Sequence, residues 1–118
     1  MTKCIVVGLN PGTGASVKRF NKWCDEIGIS YYSFTNMSSD PKWDFTLKTL
    51  DENDKRSLCT ILDQYDRIIC WGDKVSNYLK KFGYTNFFVM PHPSGLNRKI
   101  NDTEYVSKKI NECKDYIL

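Results

Sequence analysis

The sequence predicts an α/β fold, a three-layer helix–sheet–helix sandwich built on a four-stranded parallel sheet. Short apolar runs alternate with amphipathic stretches in the order β-α-β-α-β-α-β-α. Strands that are separated by helices pair in parallel through right-handed crossovers, which puts helices on both faces of the sheet. The 118 residues contain no repeat or low-complexity run, so residues 1–118 are expected to form a single domain.

Each element of the first half has a local signal. Residues 3–8 (KCIVVG) form a branched apolar run that predicts a buried strand, and LNPGTG (residues 9–14) continues neither a strand nor a helix. From Ala15 the apolar spacing is helical, and Gly28 is a stop signal for this helix. Residues 29–35 (ISYYSFT) are strand-like.

The second half continues the alternation after residues 37–50, the least regular stretch. Apolar residues at helical spacing predict three more helices, with the faces Leu58, Ile61, Leu62 and Tyr65, then Val75, Tyr78, Leu79 and Phe82, and finally Val106, Ile110, Cys113 and Ile117. Short apolar runs predict a third strand at residues 67–71 and a fourth at residues 87–90.

Composition and charge exclude several classes of protein. The apolar fraction (41%) and the charged fraction (26%) are those of a folded domain rather than a disordered chain. The apolar stretch near the N-terminus is too short for a signal peptide or a membrane span, so we expect a soluble protein without a membrane partner. A net charge of +3 is compatible with a polyanionic partner.

The five cysteines are odd in number, scattered, and without CxxC or Cys/His spacing. They have apolar neighbours, so we expect buried side chains in a reducing compartment, the cytoplasm, and no bound metal.

Three loops are expected at the carboxyl ends of the strands, where parallel sheets bind ligands: LNPGTG (residues 9–14), NMSSD (residues 36–40) and PHPSGLNRK (residues 91–99). The first lacks GxGxxG and GxxxxGK[ST], which excludes the usual dinucleotide and P-loop sites. Its bend exposes Asn10, and its glycines let backbone N–H groups approach a ligand. Taken singly, each loop is also explained as an ordinary turn, and the single histidine, His92, as a surface residue.

Together the loops resemble the uracil-DNA glycosylase superfamily in order and spacing. The resemblance rests on GLNPG after the first strand, a strand ending in TN, and HPSGLNR after an apolar strand that IICWG and a helix precede. It covers residues 5–99. Asn in the first motif with His in the second resembles the single-strand-selective branch, and PSGL followed by Arg98 resembles the mismatch-specific branch. The fold that this resemblance implies agrees with the periodicity.

The resemblance implies a role for each matching residue. Asn10 and His92 are the implied catalytic residues: Asn10 holds the water that attacks C1′, and His92 donates to the uracil O2. Asn36 reads O4 and N3–H of the base, and no cofactor is implied. The implied base or nucleotide contacts come from Gly8, Leu9, Pro11, Gly12 and Asn36, and the implied nucleic-acid contacts from Ser94, Gly95, Leu96, Arg98 and Lys99. Ser94 would contact a phosphate, Leu96 would fill the gap left by the flipped nucleotide, and Arg98 with Lys99 would hold the backbone. We expect Asn10, Asn36 and His92 to converge on one pocket.

The chain also departs from the family pattern. The extra loop with a base-stacking aromatic residue is absent, and the first motif has no acidic residue. Phe20, Trp23 and Trp71 are predicted to lie in the core, whereas Trp43 and Phe45 are candidates to line or cover a pocket.

Two main functions follow from the resemblance. The first is a monofunctional glycosylase that removes uracil or a 5-substituted uracil from single-stranded or mismatched DNA, in a compact form typical of phage genomes. The second is an inactive binding module for a free nucleotide, a nucleotide signal or modified DNA. An inhibitor that binds another protein through the sheet edge is a third, weaker interpretation.

Overall fold

Four β-strands and four α-helices alternate in a computed structural model that describes residues 3–12, 14–94 and 97–118. The elements are β1 (Cys4–Gly8), α1 (Ala15–Ile27), β2 (Ser33–Asn36), α2 (Glu52–Leu62), β3 (Arg67–Trp71), α3 (Asp73–Lys81), β4 (Phe88–Met90) and α4 (Thr103–Ile117). Two short 3₁₀ helices lie at Leu47–Thr49 and Arg98–Asn101.

The four strands form one parallel sheet in the order β2-β1-β3-β4, as predicted from the alternation. The chain runs from β1 outward to β2 and then crosses back over β1 to β3, so the strand order reverses between β1 and β3. At such a reversal the loops that follow the two strands diverge and leave a crevice at their carboxyl ends. The sheet topology therefore predicts a ligand site beside Gly8 and Trp71.

Helices cover both faces of the sheet. On one face a core cluster joins Val6 and Ile69 to buried residues of α1 and α4, and on the other a second cluster joins Ile5 and Ile68 to buried residues of α2 and α3. Successive side chains of a strand point to opposite faces, so a strand covered on both sides is apolar throughout. This explains why CIVVG and IICW are unbroken apolar runs.

The second strand and the second helix differ most from the sequence prediction. The second strand begins at Ser33 rather than at residue 29, because the Ile29 N–H donates to the Cys24 carbonyl oxygen (3.0 Å) and completes the C-terminal cap of α1. Helix α2 ends at Leu62, before Tyr65 of the predicted helix face, because the N–H groups of Gln64 (3.0 Å) and Tyr65 (3.2 Å) donate to carbonyl oxygens three residues back instead of four.

The aromatic and cysteine side chains lie mostly where the sequence places them. Phe20, Trp23 and Trp71 are buried, which confirms them as core residues. All five thiols are free; Cys59 is partly buried and the other four are buried. Burial raises the pKa of the Cys24, Cys70 and Cys113 thiols to about 12, so these groups stay protonated and unreactive. Within the described ranges, no helix combines the length and apolarity that crossing a membrane requires.

Candidate functional site

The loops after β1, β2 and β4 meet at one pocket of about 650 Å³ at the carboxyl edge of the sheet. Asn10, Asn36 and His92 all line it, so the expected convergence is observed. The predicted site residues Leu9, Pro11, Gly12 and Ser94 line it as well. The volume is in the range typical of pockets that hold small molecules.

Asn10 is fixed by the segment that follows β2. Beyond the end of β2, the N–H groups of Met37 and Ser38 donate to the carbonyl oxygens of Gly8 and Leu9, each at 2.9 Å. This pairing carries the chain past the first loop, where the Asn10 Nδ2 donates to the carbonyl oxygens of residues 40 (3.3 Å) and 41 (2.9 Å). Two carbonyl acceptors define which end of the amide is the donor, so Oδ1 is the end that can accept from a molecule in the pocket.

Gly8 makes room for Asn36. The two residues are paired across β1 and β2, and a Cβ placed on Gly8 would lie 2.7 Å from the Asn36 Oδ1 and 3.1 Å from Cζ of Phe34. Only a residue without a side chain leaves this space to its neighbours. Gly8 itself is buried beneath these two side chains and is not among the residues that line the pocket. The structure therefore shows that Gly8 makes space for its neighbours, and the base contact that the resemblance implies for it stays a prediction.

His92 is held as a neutral hydrogen-bond donor. The Ser94 N–H donates to Nδ1 at 3.1 Å, so the ring proton of the neutral imidazole lies on Nε2. Burial lowers the pKa of His92, which disfavours the charged imidazolium. The ring, which lines the pocket, therefore carries an uncharged N–H at Nε2.

The loop around His92 is fixed by two further side chains. The Asn97 Nδ2 donates to the His92 carbonyl oxygen at 2.9 Å, and Nη1 of Arg19 donates to the Pro93 carbonyl oxygen at 2.7 Å. Arg19 thus connects α1 to the loop after β4.

A row of aromatic rings lines the pocket, and two of them, Phe34 and Trp71, were not predicted as part of it. The rings of Phe34 and Trp71 are 4.9 Å apart, and those of Trp71 and His92 are 5.6 Å apart. Trp71 is 4% exposed, yet it lines the pocket. Its Nε1 has no hydrogen-bond partner within the described part of the chain, so packing against neighbouring rings holds the indole. The signal for Phe34 is its position two residues before Asn36, which places both side chains on one face of β2.

Phe45 lines the pocket, as predicted. Trp43 is 6% exposed, and its ring centroid lies 5.6 Å from that of Phe45. Trp43 therefore belongs to the core rather than to the pocket wall.

The predicted nucleic-acid contacts separate into two groups. Ser94 lines the pocket, whereas Arg98 and Lys99 are exposed on the 3₁₀ helix that follows it. Lys99 lies beside a smaller cavity of about 270 Å³ that His92 also borders. Gly95 and Leu96 lie outside the described residues.

Among residues 3–12, 14–94 and 97–118, no three His, Cys, Asp or Glu side chains are grouped as metal ligands would be. No protein-family model matches the chain, and no curated protein is significantly similar to it. The fold and the site define an α/β protein with a pocket at the carboxyl ends of the strands, where the strand order reverses.

Proposed function

We propose that the protein is a monofunctional DNA glycosylase that removes uracil or a 5-substituted uracil from DNA. The observation that carries this proposal is the juxtaposition of Asn10, Asn36 and a neutral His92 in one pocket. Asn36 offers an amide to the polar edge of a pyrimidine, and His92 offers a donor to a ring oxygen. Asn36 lies beside the exposed ring of Phe34, which suits a planar base.

The reaction breaks the bond between C1′ of the sugar and N1 of the base. The electron pair of this bond goes to the base, which departs as an anion whose charge is shared with O2, while the sugar becomes cationic. A donor fixed at O2 stabilises the charge as it develops. His92 fits this task because its Nε2–H is available without prior loss or gain of a proton.

Asn10 completes the hydrolysis. Its Oδ1 accepts a hydrogen bond from a water molecule and directs the water oxygen at C1′. The water oxygen bonds to C1′ and its proton passes to solvent, which leaves an abasic site and the free base. An amide orients the water without deprotonating it, so the departure of the base is the demanding step.

One observation favours a second candidate function. The described residues that line the pocket include no Asp or Glu, so none of them offers a carboxylate to take the proton of the water. A binding module that holds a nucleotide without turning it over needs no such group.

Incubation with uracil-containing oligonucleotides, single-stranded and mismatched, followed by alkaline cleavage of abasic sites, tests the proposal. Strand scission by the wild-type protein, lost in Asn10→Ala and retained in Tyr31→Ala, supports the glycosylase. Tyr31 is a matched control because it is 85% exposed and lies before β2, at the opposite edge of the sheet. Absence of scission, with saturable binding of a uridine nucleotide, supports the binding module instead.

A further inference from the structure

We propose that Phe34 and Phe45 are the two aromatic surfaces that hold the ligand, so that the site selects a planar heteroaromatic ring over a saturated ring with the same polar groups. This inference rests on the proposed function and deepens it. It assigns binding roles to two residues for which the sequence motifs give none.

Phe34 has the exposure that a stacking surface requires. It is 38% exposed, one of three large apolar side chains this open in the described part of the chain. The other two, Tyr31 and Leu118, do not line the pocket. An exposed phenyl ring that lines a concave site is apolar surface that a planar ligand can cover.

Contacts with the core fix the position of Phe34. Its ring lies 4.9 Å from that of Trp71 at an interplanar angle of 48°, and Trp71 lies 5.5 Å from Phe20 in the core. Phe34 Cζ and the Asn36 Oδ1 both approach within 3.1 Å the position that a Cβ on Gly8 would occupy. A ligand stacked on this phenyl ring is therefore beside the amide that would read its edge.

Phe45 has a strained backbone that places it at the pocket. Its φ of 67° is the one positive value for a non-glycine residue within the described ranges. A bulky side chain rarely adopts this conformation, which costs free energy and persists only where surrounding contacts enforce it.

Several contacts enforce it here. The Tyr78 hydroxyl donates to the Phe45 carbonyl oxygen, and the Trp43 ring packs edge-on against the phenyl ring at 88°. On the N-terminal side, the Asp44 carboxylate accepts from the N–H (3.0 Å) and the hydroxyl (2.8 Å) of Thr46. The Lys74 Nζ lies 5.5 Å from the Phe45 ring centroid. The strain thus coincides with a side chain that lines the pocket, which is the pattern of a functional position rather than of a core residue.

Uracil and 5,6-dihydrouracil provide the probe pair, because both carry O2, N3–H and O4 whereas only uracil is planar and aromatic. We expect the wild-type protein to bind uracil about 10-fold more tightly in NMR titrations, since base–aromatic stacking contributes on this scale. Phe34→Leu and Phe45→Leu should each reduce this ratio towards one. Phe34→Tyr should retain it, and Tyr31→Leu serves as the matched control with an unchanged ratio.

The possible failures are distinguishable. An equal ratio in the wild type and in both leucine variants, with uracil still released from oligonucleotides, overturns the stacking role and leaves the glycosylase proposal standing. Tighter binding of uracil by Phe34→Leu also overturns it, because Phe34 would then occupy the site of the base. If the wild type neither binds uracil nor releases it from DNA, both proposals fail.

Discussion

His92 concentrates the chemistry of the site in one side chain. It is the single histidine of the chain, and its environment selects a protonation state and a tautomer together. The Ser94 N–H occupies Nδ1, and burial disfavours the cation, so Nε2–H is the group left to act. A neutral donor of this kind interacts more strongly with an anionic leaving base than with the uncharged base in DNA, which is the condition for catalysis.

Replacement of His92 by Ala should lower the single-turnover rate of uracil release by about 10²- to 10³-fold, the usual effect of losing one donor to a developing anion. Binding of the intact substrate should change far less, because the hydrogen bond strengthens only as the base departs. Single-turnover assays quenched at successive times, over a range of protein concentrations, measure the rate of uracil release and the affinity for the substrate separately. An equal loss of affinity and rate would mean that His92 contributes to ground-state binding only.

The lowered pKa of His92 also predicts a pH dependence of stability. In the unfolded chain the imidazole takes up a proton below a pH of about 6.5, whereas the partly buried imidazole of the folded chain does so only at a lower pH. Between these two values the unfolded state binds more protons, so the free energy of unfolding falls as the pH falls through this window. Above it, His92 adds no pH dependence.

Urea unfolding of the wild type and of His92→Gln at pH 7.5 and pH 5.5 measures this contribution, because all other titrating groups are common to both proteins. We expect the wild type to lose more stability on acidification than the variant. The opposite order would mean that the folded protein holds His92 as the cation.

At the scale of elements, the strands and helices could be predicted from the sequence more fully than the side chains that line the pocket. The order of strands and helices follows from apolar periodicity, because burial on both faces makes a strand continuously apolar and burial on one face makes a helix amphipathic. The parallel topology then brings Asn10, Asn36 and His92 to one edge. Phe34 escaped prediction because its ring reaches across Gly8 to Trp71, and that contact depends on a missing side chain in the neighbouring strand.

The pairing of β1 with β2 makes Gly8 a test of this arrangement. Gly8→Ala introduces a methyl group that meets the Asn36 Oδ1 and the Phe34 ring, so both side chains must shift away from their positions in the pocket. We expect a loss of stability of about 1 kcal/mol, as for mild overpacking, and a weakening of uracil binding by about 10-fold. Thermal unfolding and NMR titration measure the two effects.

Gly12→Ala provides the comparison for stability, because no described residue other than the chain neighbours of Gly12 lies within 4 Å of an added Cβ at that position. Its unfolding midpoint should match that of the wild type. If Gly8→Ala were as stable as wild type and bound uracil equally well, the close approach of Asn36 to β1 would not matter for recognition.

At the scale of the whole molecule, the pocket and the positively charged side chains nearest to it occupy separate surfaces. The described residues that line the pocket include no Lys or Arg, whereas Arg98 and Lys99 are exposed just beyond it. A net charge of +3 adds a weak attraction for polyanions. Under the proposed function, base selection and attraction of the DNA backbone fall to separate groups, so each can be removed by substitution without the other.

This separation predicts how salt affects binding. Association with single-stranded uracil DNA should weaken as salt rises, and the double charge reversal Arg98→Glu/Lys99→Glu should reduce the slope of log K against log[salt] by about 1.4, since each lost phosphate contact on a single strand contributes about 0.7. Binding of free uracil should be unchanged and independent of salt.

Lys80→Glu/Lys81→Glu changes the net charge equally at the far end of α3 and should leave the slope near its wild-type value. Fluorescence anisotropy with a labelled oligonucleotide at several salt concentrations gives the slopes. If both double variants reduced the slope equally, net charge rather than the loop after His92 would attract the DNA.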